Sequence, residues 1–111
     1  MIVGILGLGL IGGSMARAYA KAGHQVYACE QDASMLDFAQ LTGACHGELD
    51  EDMIRVCDLI LLAIYPDGSA AWLEKNAHII SKNALVMDCC GIILSPLPSK
   101  MPIATARDIS A

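Results

Sequence analysis

Gly7, Gly9, Gly12 and Glu30 are the residues whose types and spacing point to chemistry. The glycines stand as G-x-G-x-x-G directly after an apolar run, Met1 to Leu6. They lie at the head of a stretch with helical periodicity, Ile11 to Ala22, that Gly23 stops. Each glycine has its own physical task in such a junction. The first permits a tight turn, the second lets a pyrophosphate approach the backbone without meeting a Cβ, and the third lets helix and strand pack closely. The helix starting there offers N–H groups without intrahelical partners and a partial positive charge, so the junction is a cradle for an anion. A dinucleotide also needs an acid at the end of the following strand, about 20 residues on, to accept from ribose hydroxyls. Glu30 stands there. Its neighbour Gln31 is neutral and no Arg stands beside it to meet a 2′-phosphate, which favours NAD over NADP. No Lys-Ser/Thr pair follows the glycines, which argues against the phosphate loop of kinases and GTPases. Taken singly, the glycines fit a plain strand-to-helix turn and Glu30 a solvated loop carboxylate; the strand-helix-strand spacing that joins them favours the cofactor reading.

The elements that would hold these residues follow from apolar periodicity. A strand over Met1 to Leu6 and the helix just described come first, then a strand over Gln25 to Cys29 and a helix over Ala33 to Thr42 closed by Gly43. A weak strand is expected near Ala44 to His46, and a short connecting helix over Asp50 to Val56. Leu59 to Ile64 is continuously apolar, as a strand buried on both faces of a parallel sheet would be. Pro66 and Asp67 then open a helix through about Ile79, and Ala84 to Asp88 reads as another buried strand. Strands alternating with helices imply an α/β domain, a doubly wound parallel sheet in three layers. Beyond Gly91, three of the four prolines and the loss of any period mark an irregular tail or an interrupted element. The expected division is residues 1–92 for the cofactor domain and 93–111 for the tail.

Composition narrows the classes further. A chain of 111 residues is about one domain. It is 55% hydrophobic, yet its longest apolar run, Leu59 to Tyr65, is far short of the roughly 20 residues of a membrane helix. The apolar start has no basic stretch before it and is interrupted by glycines, so it does not read as a signal peptide, and a cytoplasmic protein is expected. With a net charge of −5 and singly scattered basic residues, nucleic acid is not an expected partner. The five cysteines sit mostly in apolar segments, as Cys29, Cys57, Cys89 and Cys90 do, which suits reduced, buried thiols rather than disulfides or zinc. His24, His46 and His78 read as turn, loop and helix-end residues. Asp50, Glu51 and Asp52 read as a solvated helix start, Trp72 as the buried face of its helix, and Ser14 as either a phosphate contact or a helix-surface residue. For Arg17 the choice is the same, with solvent favoured.

The stretches GLGLIGGSMARAYAKAGHQVYACEQD, DLILLAIYP and ALVMDCCG resemble the prephenate and arogenate dehydrogenases of tyrosine biosynthesis. The resemblance covers roughly Met1 to Gly91, and the octapeptide Gly7 to Ser14 is its most specific part. It implies a Rossmann-type fold and an NAD(P)-dependent oxidative decarboxylation. Hydride would leave the carbinol carbon of prephenate for the nicotinamide, carbon dioxide would depart, and the ring would aromatise to 4-hydroxyphenylpyruvate. By residue match, Gly7, Gly9, Leu10, Ile11 and Gly12 would cradle the pyrophosphate and Glu30, beside Gln31, the adenosine ribose. Ala63, Ile64 and Tyr65 would pass beneath the cofactor at the end of the fourth strand. A small-molecule substrate, prephenate or arogenate, is the implied partner of the whole enzyme.

The departures from that family set the remaining expectations. Where the family tends to carry Lys at the end of D-x-x-[SG]-x-K, this chain has Ile93, and Lys100 is too far along to replace it. No catalytic residue is therefore assigned. The family's catalytic His, its substrate-binding Arg and its helical dimerisation domain have no counterpart in this sequence. The expected object is an incomplete Rossmann-type sheet, the N-terminal βαβαβ portion, that binds cofactor without turnover and self-associates through an uncovered edge. Two other classes use similar glycine loops. One is a methyltransferase with S-adenosylmethionine in place of NAD; the other is a non-catalytic nucleotide-binding module.

Overall fold

The structure, a computed structural model, describes residues 1–89 and 103–105. It is a six-stranded sheet in the order β3-β2-β1-β4-β5-β6, all neighbours parallel. The strands are β1 (Ile2–Leu6), β2 (Gln25–Cys29), β3 (Gly47–Glu48), β4 (Leu59–Leu62), β5 (Leu85–Asp88) and β6 (Ile103–Thr105). Helices α1 (Leu10–Lys21), α2 (Ala33–Leu41), α3 (Glu51–Val56) and α4 (Pro66–Asn76), with a 3-10 turn at Ala77–Ile79, make the crossovers. This is the doubly wound Rossmann order, in which the winding reverses between β1 and β4.

Two apolar cores lie on the two faces of the sheet, and the central strands feed both. Ile5, Leu59 and Leu61 join Ala16 of α1 and Ala39 of α2 in one; Leu6, Ile60 and Leu62 join Ile54 of α3 and Leu73 of α4 in the other. Alternate residues of a strand face opposite sides. This explains why β4 is apolar throughout and all four of its residues are buried.

The short helices begin where side chains can replace missing backbone partners. The Asp32 carboxylate accepts from the N–H groups of Ser34 and Met35 at 2.9 and 3.4 Å, and that of Asp50 accepts from Met53 at 2.9 Å. Asp50 to Asp52 is thus the helix start expected of it, with Glu51 and Asp52 in the first turn of α3.

Several boundaries differ from the sequence reading. The strand expected at Ala44 to His46 forms instead at Gly47–Glu48, because Ala44 and Cys45 still bond back to the Ala39 carbonyl as the end of α2 unwinds. β4 ends at Leu62, leaving Ala63 to Tyr65 as the link to α4. Within the segment expected to be an irregular tail, Ile103–Thr105 pairs with β5. The remainder of that tail, and Cys90, lie outside the described residues. Among the described residues Cys29, Cys45, Cys57 and Cys89 form no disulfide. Cys45 and Cys57 are buried, but Cys29 and Cys89, expected to be buried, are half-buried because they sit at the open carboxyl ends of β2 and β5. No helix among the described residues is long and apolar enough to cross a membrane.

Candidate functional site

The carboxyl ends of β1, β2 and β4 open on a crevice at the point where the winding reverses. Two adjoining cavities form it. One, of about 540 Å³, is lined by Leu6, Gly7, Cys29, Glu30 and Gln31 on one side and Ile64, Tyr65, Gly68, Ala71 and Trp72 on the other. The second, of about 340 Å³, adds Gly9, Met35 and Ala63. The crevice thus brings together Gly7, Gly9, Glu30, Gln31, Ala63, Ile64 and Tyr65. Leu10, Ile11 and Gly12 form the first turn of α1 beside it.

The three motif glycines stand in three different surroundings. Gly7 has φ +89°, and a Cβ there would come within 2.6 Å of Ile64 Cγ2 and 2.7 Å of the Ala63 carbonyl. It turns the chain and lets the β4–α4 link close against the loop. Gly12 is buried, and its Cβ would overlap the Gly7 carbonyl oxygen. Gly9 is unlike both. It is exposed, its φ of −68° suits any residue, and nothing lies within 4 Å of the Cβ position. Neither this φ nor packing among the described residues demands glycine there, and the main chain at the head of α1 is left open.

The helix that begins there is uncapped. Gly9 occupies the N-cap of α1 and no side chain caps the helix, so the N–H groups of its first turn have no side-chain acceptor. Ser14 does not turn towards it: its hydroxyl donates to the Leu10 carbonyl at 2.8 Å and accepts from Arg17 at 3.2 Å. The helix-surface reading of Ser14 therefore holds, and Arg17 stays on the exposed flank of α1.

Glu30 follows directly on the end of β2, half-buried. One of its oxygens accepts from the Leu8 N–H at 2.8 Å and the other from the Asp32 N–H at 2.9 Å. Each carboxylate oxygen retains a further lone pair for a hydroxyl donor. Among the described residues that line the crevice, Glu30 is the one carboxylate and none is Lys, Arg or His.

Sequence reasoning missed part of the wall. Trp72 was expected on the buried face of α4; it is half-buried and lines the crevice while packing against the core. Gly68 and Ala71, on the same helix, and Met35 on α2 complete the wall. The signal for Gly68 and Ala71 is small-residue spacing against Trp72 along α4, which is faint in a sequence where small residues abound. Cys29 also faces the cavity, and burial together with the nearby Glu48 and Glu30 carboxylates pushes its thiol pKa up. It is a poor nucleophile there. Beyond the crevice, Asp88 is buried at the carboxyl end of β5, in register with Leu62. The histidines lie away from the crevice walls: the N-terminal amine contacts His24 Nδ1 at 2.9 Å, and His46 Nδ1 accepts from the Val26 N–H at 3.0 Å. No group of His, Cys, Asp and Glu among the described residues could hold a metal ion.

Residues 2–90 match the profile of the family described as NADP oxidoreductase, coenzyme F420-dependent. No curated protein matches the chain. Among solved structures, arogenate dehydrogenase from Synechocystis superposes with a TM-score of 0.78 at 24% identity, over 90% of this chain and 36% of that one. Prephenate dehydrogenase from A. aeolicus, in complex with hydroxyphenyl propionate and NAD+, gives 0.69 at 22% identity, over 79% of this chain and 32% of that one. The 3-hydroxyisobutyrate dehydrogenase of Mycobacterium tuberculosis gives 0.70 at 16% identity, over 78% and 30%. These likenesses establish the fold. The chain spans about a third of the length of each of these structures.

Proposed function

The chain belongs to the family described as NADP oxidoreductase, coenzyme F420-dependent, and we propose that it is the NAD(P)-binding domain of a dehydrogenase acting on prephenate or arogenate. The observation that carries the cofactor assignment is Gly9, a glycine that neither backbone conformation nor packing requires, at the mouth of an uncapped helix. A pyrophosphate over Gly9 would take the N–H groups at the head of α1, with Leu10, Ile11 and Gly12 supplying that first turn. The adenosine ribose would lie against Glu30, and the adenine between Gln31 and the Ile64–Tyr65 link, where the larger cavity is mostly apolar. When bound, NAD(P) would supply hydride transfer; the residues of this chain bind and orient it.

Two features support NAD over NADP. A 2′-phosphate would meet the Glu30 carboxylate, and no cation among the described residues that line the crevice would offset the repulsion. The substrate assignment rests on the octapeptide Gly7 to Ser14 and on the likeness to arogenate and prephenate dehydrogenases. We assign no residue of this chain to the chemical step, so cofactor binding without turnover is expected of it.

Titration calorimetry of the chain with NAD, NADP and S-adenosylmethionine tests the reading. NAD should bind, NADP should bind at least about tenfold more weakly, and S-adenosylmethionine should give no heat. Binding of S-adenosylmethionine without NAD would replace the dehydrogenase reading with a methyltransferase one. Preference for NADP would reverse the cofactor assignment alone.

A further inference from the structure

We propose that Glu30 is also a positioning residue: its carboxylate is the strut that sets the shape of the glycine loop before any ligand arrives. This rests on the proposed reading of the crevice as a dinucleotide site, and it adds a second task to the residue assigned to the ribose.

The argument begins where the sheet ends. β1 and β2 are joined by backbone bonds as far as the Gly7 N–H, which donates to the Cys29 carbonyl at 2.9 Å. Past that point the positive φ of Gly7 turns the chain out of the sheet, and β2 has no further strand residue to offer. The Leu8 N–H emerges from that turn with Leu8 itself 7% exposed, so an unmet donor would be costly there. Glu30 meets it with one oxygen at 2.8 Å and ties the other oxygen to the Asp32 N–H at 2.9 Å. Asp32 in turn caps α2 through Ser34 and Met35. One carboxylate therefore links the phosphate loop to the start of α2, across the two segments that flank the adenosine end of the crevice.

The consequence is a coupling between two subsites that do not touch. A residue that served the ribose alone would, when removed, weaken every adenosine-containing ligand by the same factor. A strut that also shapes the loop must weaken ligands that use the loop further, because the N–H groups at the head of α1 are then no longer preset for the phosphates. Adenosine reaches Glu30 but not the loop; ADP reaches both.

The experiment compares the full chain with Glu30→Ala, which removes both links, and Glu30→Gln, which keeps a single acceptor oxygen. Calorimetry with adenosine and with ADP is combined with amide hydrogen exchange read by NMR. In Glu30→Ala the Leu8 amide should exchange about tenfold faster while the Gly7 amide, held by Cys29, stays protected. ADP affinity should fall about three- to tenfold further than adenosine affinity, with Glu30→Gln between wild type and Ala in both readouts. Unchanged Leu8 exchange, or equal losses for adenosine and ADP, overturns the strut. If the wild-type chain binds neither ligand, the dinucleotide reading falls, and the Leu8 exchange still decides whether the strut exists.

Discussion

Replacing Gly9 and Gly12 by alanine in separate variants should split binding from stability. At Gly12 the new Cβ would overlap the Gly7 carbonyl oxygen and come within 3.1 Å of the Ala63 Cβ. Both neighbours are backbone or backbone-fixed, so the clash can be relieved only by moving α1 off β1. Overpacking against groups that cannot rotate away costs about 3 kcal/mol, the upper part of the usual range. At Gly9 the added methyl meets nothing within 4 Å, and φ is already −68°. Alanine there loses about 0.7 kcal/mol as an N-cap and regains a similar amount by restricting the unfolded chain, so the net change should lie within about 0.5 kcal/mol. The same methyl would stand where the pyrophosphate approaches, and losing one or two charge-assisted bonds should weaken NAD about tenfold or more. Urea unfolding followed by circular dichroism gives the stabilities, and calorimetry gives the affinities. A Gly9→Ala variant as unstable as Gly12→Ala would refute the claim that packing ignores this position. One that is stable and binds NAD as the wild type does would refute the cradle.

Other consequences follow from local features. Asp32→Ala removes the cap of α2 and should cost about 1 kcal/mol in urea unfolding, whereas Asp32→Asn, which keeps an acceptor, should cost less than half as much. Burial, assisted by the neighbouring Asp58 carboxylate, pushes the Cys57 thiol from 9.0 up to about 12. The folded state then holds this proton at pH values where the unfolded chain has released it. Stability should be level with respect to this group below about pH 9 and fall above it, by at most about 1.4 kcal/mol per pH unit. Denaturant titrations between pH 8 and 11 should show a shallower fall in Cys57→Ala; an identical slope would remove Cys57 as the cause.

The parts of the molecule that were legible in the sequence are those where one residue type has one physical solution. The run Leu59 to Leu62 could be read as a doubly buried strand because it is continuously apolar, too short for a buried helix, and flanked by the polar Asp58 and by Pro66. Gly7 could be read as a turn because its φ of +89° excludes nearly every other residue. Glu30 was legible by spacing alone, but its bonds to Leu8 and Asp32 were not, since they depend on β1 and β2 ending together at Leu6 and Cys29 before the chain turns at Gly7. His46 shows the same limit from the other side. A histidine in a polar loop reads as surface, and it is exposed, yet its Nδ1 closes the ladder to the buried Val26 N–H beside the short strand β3. Ile103–Thr105 shows it a third time, where the prolines that precede it in the sequence hide three residues that pair with β5. In each case the missing information is the partner and not the residue. A carboxylate or an imidazole accepts a hydrogen bond wherever a donor is brought to it, and only the register of the sheet decides which donor that is. The candidate site was therefore readable as a set of residue types, and the bonds that tie Glu30 to Leu8 and Asp32 became readable only once β1, β2 and the turn at Gly7 were set side by side.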